Sequence, residues 1–75
     1  MILEEAIQKA ESERGEIISI RDCGDRWSFG FLVDKGKIGG APLFVFKDDG
    51  HIEYFLCTLD NLELLRKGRP IPIPN

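Results

Sequence analysis

Seventy-five residues, 43% of them hydrophobic and 31% charged, suit one folded domain and exclude a two-domain mechanism, because each half would fall below the roughly 40 residues at which a core stops sustaining a chain. Ten Lys and Arg against thirteen Asp and Glu leave a net charge of −3, which argues against nucleic acid as a partner, since that affinity rests on neutralising phosphates. No apolar run exceeds Leu43 to Phe46, far short of the roughly 18 residues of a membrane span, and the acidic start has no secretory-leader pattern, so a cytoplasmic location without membrane partners is expected.

Leu3, Ala6, Ile7 and Ala10 recur at i, i+3, i+4 and i+7, predicting an amphipathic helix from Ile2 to Arg14. Glu4 and Glu5 suit its positive end, Glu5 and Lys9 make an i,i+4 pair, and Gly15 offers a left-handed cap. Residues 16–22 read as a strand with Ile18 and Ile20 on one side and Ile17, Ser19 and Arg21 on the other. After the turn Asp22-Cys23-Gly24-Asp25, the residues Trp27, Phe29, Phe31 and Val33 alternate strictly with Arg26, Ser28, Gly30 and Leu32. That period of two predicts a second strand whose aromatic face covers the helix.

A glycine-rich loop from Lys35 to Pro42 leads into a third strand, Leu43 to Lys47; Asp48-Asp49-Gly50 is a hairpin turn, and His51 to Leu56 forms a fourth strand. Asp60 is the expected cap of a last helix, with Glu63 as its capping-box partner and Leu59 stapled to Leu64. Gly68 and Pro70 end that helix, and Pro70–Asn75 is an extended, proline-rich tail. The expected fold is therefore α+β: an N-terminal helix packed on a four-stranded antiparallel meander, followed by a short C-terminal helix closing an edge or end of the sheet, all within a single domain, 1–75.

The residues supply little catalytic chemistry. His51 is the one histidine and stands beside a turn, without a nucleophile and an orienting group around it. Cys23 is flanked by Asp22 and Asp25, whose charge opposes a reactive thiolate, and Cys23 and Cys57 form no metal-binding spacing, so both are expected reduced. The aspartates lack the calcium-loop pattern, and His51 with Cys57 gives two of the four ligands of a structural zinc site. Gly36-Lys37-Ile38-Gly39 fits a nucleic-acid-clamping G-x-x-G, but between strands rather than helices. No cofactor, metal or enzymatic activity is expected.

Trp27 to Phe31, the stretch Gly39-Gly40-Ala41-Pro42-Leu43-Phe44-Val45-Phe46, and Lys47-Asp48-Asp49-Gly50-His51-Ile52 together resemble the immunity protein 35 family, which includes the YrhB-type small bacterial proteins. The resemblance implies a bacterial cytoplasmic protein that binds and neutralises a toxin domain, with chaperone-like activity also attributed to the YrhB type. Asp22, Asp25, Asp48, Asp49 and Glu53 are the expected protein-binding residues, because they stand at turns or on the last strand of an acidic scaffold that would steer a basic partner. Self-association or holdase-like binding is the alternative, and the two edges of a small sheet favour a homodimer.

Overall fold

The chain runs α1 (Leu3–Arg14), β1 (Ile17–Asp22), β2 (Arg26–Phe31), β3 (Leu43–Phe46), β4 (Ile52–Tyr54), α2 (Leu59–Lys67) and β5 (Arg69–Ile71) in a computed structural model that describes residues 1–31 and 42–73. The expected strand residues Leu32 and Val33 and the G-x-x-G loop lie outside the described residues. No helix among the described residues is long and apolar enough to cross a membrane.

The strands form one antiparallel sheet in the order β4-β3-β2-β1-β5. It is α+β, as expected, but with five strands rather than four. The extra strand comes from the proline tail, where Ile71 pairs with Ile20, Pro70 with Arg21 and Arg69 with Asp22. A proline has no N–H for a central ladder but is tolerated at an edge, so the tail is an edge strand.

Alternation assigns the two faces. Ile20, Phe29 and Leu43 form one cross-strand row, and Trp27, Val45 and Ile52 the next; this face packs against Ala6 and Ala10 of α1, both wholly buried. The period-two expectation fails in β1. Ile17 faces Phe31 and Ile20 faces Phe29, with a break in register between Ile17 and Ser19. Two inward residues three positions apart require one extra residue between them, a β-bulge, and Ile18 is left 53% exposed rather than sharing a face with Ile20.

The second helix departs further. Thr58, not Asp60, is its cap, accepting the Asn61 N–H at 3.2 Å. Leu59 is 82% exposed rather than stapled to Leu64, and Glu63 pairs along the helix with Arg66 and Lys67 at 2.7 and 3.1 Å instead of closing a capping box. A threonine immediately before the helix satisfies its orphan N–H groups as well as an aspartate two residues later would. Between the parallel strands β4 and β5, at opposite edges, α2 crosses the sheet's second face rather than closing an edge. There Leu65 and Arg66 wall a cleft of about 470 Å³ over Ser19, Arg21, Ser28 and Gly30.

Candidate functional site

Two turns meet at one end of the sheet. Cys23-Gly24-Asp25 joins β1 to β2 with Gly24 at φ +93°, and Lys47-Asp48-Asp49-Gly50 joins β3 to β4 with Gly50 at φ +74°. Both angles lie where a Cβ is disfavoured. The Lys47 N–H donates to the Asp25 carbonyl at 3.0 Å, so the turns of separate hairpins are fastened side by side. From the other side the terminal ammonium of Met1 donates to the Lys47 carbonyl at 2.8 Å, and Lys9 Nζ donates to the Gly50 carbonyl. The first helix thus anchors the second turn.

Asp25, Asp48, Asp49 and Glu53 are exposed in this region. Asp22 is separated from them in role. It lies in register with Trp27 on the α1 face, its carboxylate accepting from Lys47 Nζ at 2.8 Å and from the Gly24 N–H at 2.9 Å. Those bonds, Lys47 first, hold its carboxyl below the usual range. Of the five expected interface residues, Asp22 is thus the one whose side chain fastens the turns, Asp25 doing so through its backbone carbonyl.

On the second face Phe46 is the centre of a stack. The His51 ring lies parallel to it with centroids 4.0 Å apart, and the Arg26 guanidinium stands 4.2 Å from its centroid and 5.5 Å from that of Phe44. Asp25 grips the guanidinium through two bonds of 2.8 and 3.1 Å. That contact lowers the Asp25 pKa and raises that of Arg26. Asp49 accepts from the His51 N–H at 3.0 Å and lies 2.5 Å from its Nδ1; these contacts pull its carboxyl from 3.8 to about 2. His51 Nε2 is 3.8 Å from Glu53.

Sequence reasoning reached the carboxylates but missed Arg26, Phe46 and His51 as their scaffold. A signal was present: Phe46 and His51 bracket the four residues of the β3–β4 turn, and residues bracketing a hairpin turn stand opposite each other. Cys23 is half-buried and free, and Cys57 is exposed and free. The Cys23 pKa is raised, chiefly by burial and then by Asp22, the direction the neighbouring aspartates predict. Asp48, Asp49 and His51 offer one ligand atom each within 4.8 Å of one another, all exposed. Asp49 already engages the histidine, and three exposed groups fall short of a structural zinc set.

Asp22, Asp25 and Asp49 are each held below the usual carboxylate range by these contacts. No family model, curated protein or solved structure matches the chain.

The lowered carboxyls make a pH prediction. A group whose folded pKa is depressed stabilises the fold above its unfolded value, and that contribution is lost as pH falls through the folded value. For Asp49 the window runs from about pH 4 down to about 2. Urea melts across that window should show Asp49→Asn losing stability less steeply than the wild type. Equal slopes would mean that the carboxylate is not held by the turn and His51.

Proposed function

We propose that this chain is a non-enzymatic immunity-type protein of the kind its sequence resembles, and that it neutralises a basic toxin domain by covering it with the turn-bearing end of the sheet. The observation that carries this reading is the fastening of the two turns, Lys47 N–H to Asp25 carbonyl at 3.0 Å, which gathers exposed Asp25, Asp48, Asp49 and Glu53 on a braced surface. A braced array of carboxylates presents its charge with little ordering cost at encounter. It also accelerates association with a basic partner in a salt-dependent way.

The test is a basic toxin domain encoded beside this gene, expressed with and without the protein. Protection is expected, and the paired variant Asp48→Lys with Asp25→Asn should slow association about tenfold at low salt. The wild-type rate should fall steeply as salt rises. Undiminished killing, or association indifferent to both salt and these substitutions, overturns the reading.

A second reading, self-association or holdase-like capture of unfolded chains, is favoured by a separate observation. Leu56, Leu59 and Leu62 are 67, 82 and 45% exposed at and before α2, an apolar surface of the sort that other proteins cover. Light scattering of a heated client, with and without this protein, separates capture from inertness.

A further inference from the structure

The two edges of the sheet are not equivalent. At the β5 edge Pro70 has no N–H to offer, and Pro72 follows it, a familiar way of blunting an edge against pairing. The β4 edge has no proline. Its hydrogen-bonding phase is fixed by bonds on either side: Phe46 N–H to the His51 carbonyl at 3.0 Å, and Phe55 N–H to the Pro42 carbonyl at 3.2 Å. His51, Glu53 and Phe55 therefore turn their backbone groups toward β3, while Ile52 and Tyr54 turn theirs outward, because the groups alternate along an antiparallel strand. Among the described residues nothing pairs with that outer side of Ile52 or Tyr54.

The one charge on β4 is Glu53, which would guard the edge unless a cation met it. Two-fold antiparallel pairing with a second copy admits three registers here. Centred on Glu53, it sets two carboxylates together; centred on Tyr54, it sets Glu53 against an apolar Phe55. Centred on Ile52, it sets each Glu53 opposite the other copy's His51. The Ile52 register alone sets each carboxylate opposite an imidazole, in non-hydrogen-bonded positions where side chains approach most closely. It also lays Ile52, which packs against the core, beside its own copy. The His51 ring is already oriented for this, since Asp49 holds Nδ1 and the stack on Phe46 fixes the plane, and Nε2, 3.8 Å from its own chain's Glu53, lies on the carboxylate-bearing side of the strand.

We propose that β4 is the homodimer edge of this protein, pairing antiparallel with β4 of a second copy about Ile52, so that two Glu53–His51 contacts across the two-fold set the register of a ten-stranded sheet. The inference rests on the self-association reading and names its surface. Sedimentation of the full chain from micromolar to millimolar concentration should show a shift from 8.5 kDa to twice that mass. Glu53→Lys removes the carboxylate from both contacts, His51→Glu places like charges in both, and each should weaken the dimer about tenfold or more. The double variant His51→Glu with Glu53→Lys restores opposite charges and should recover most of the loss; because His51 and Glu53 also lie 3.8 Å apart within one chain, urea melts of the single variants at monomeric concentration should match wild type if the contact that matters is the one across the two-fold.

Amide exchange supplies a readout that does not depend on variants folding. The Ile52 N–H should gain protection with rising protein concentration, while the Glu53 N–H, bonded to β3 throughout, should not. A chain that stays monomeric at millimolar concentration overturns this proposal and the self-association reading together. A dimer with an unprotected Ile52 and no charge-swap rescue overturns the β4 edge alone, leaving self-association through another surface.

Discussion

Trp27→Ala is expected to remove about 3–5 kcal/mol of stability, the usual cost of deleting a buried aromatic side chain. Trp27 is 7% exposed, sits across from Val45 in the row that faces α1, and has the Lys47 ammonium 5.4 Å from its ring centroid. The loss is therefore both a cavity in the core and a slackening beside the Asp22–Lys47 bond. A chain of this length has a total stability of about 4–11 kcal/mol, so the variant should be largely unfolded or close to it at ordinary temperature. Urea denaturation followed by far-UV circular dichroism is the check. Leu59→Ala, at a residue 82% exposed, should by contrast lie within about 0.5 kcal/mol of wild type. Equal midpoints for the two variants would mean that the aromatic face is not the core.

The features legible in the sequence were those written in a single local pattern. Alternating Trp27, Phe29 and Phe31 announce the core face, the i, i+3, i+4, i+7 stripe announces α1, and Asp-Gly announces the turn before His51. What escaped was set by partners far along the chain. Ile17, Ile18 and Ile20 are all strong strand formers, and only the positions of Phe31 and Phe29 across the ladder decide which two go inward. Arg69–Ile71 becomes a strand because β1 offers it an open edge, not because Arg-Pro-Ile favours one.

The candidate site divides the same way. Each aspartate was visible as turn chemistry, but the bond from Lys47 to Asp25 joins two hairpins across a separation in sequence. No window of residues contains it. The capping error at α2 has a simpler origin, since Thr58 and Asp60 are both competent caps and the choice between them follows from where the extended segment after β4 releases the chain.

The second large effect is expected from adding volume rather than removing it. Ala10 is wholly buried, as is Ala6 one turn before it, and these small side chains face a sheet lined by Trp27, Phe29 and Phe31. Small residues opposite large ones let layers interdigitate at native density. Ala10→Leu should cost about 1–3 kcal/mol through overpacking. Leucine is nearly as good a helix former as alanine, so the loss would report packing and not propensity. Gln8→Leu, on the exposed side of the same helix, should change stability by no more than about 0.5 kcal/mol. The consequence reaches the turn-bearing end of the sheet, because α1 carries the Lys9 donor to the Gly50 carbonyl and is led by Met1, whose ammonium holds the Lys47 carbonyl. Lifting α1 off the sheet loosens the turn bearing Asp48 and Asp49, so amide exchange at those two residues should quicken in Ala10→Leu and stay unchanged in Gln8→Leu. If Ala10→Leu melts like wild type with the same turn protection, α1 does not rest on the sheet through its alanines and does not brace the site.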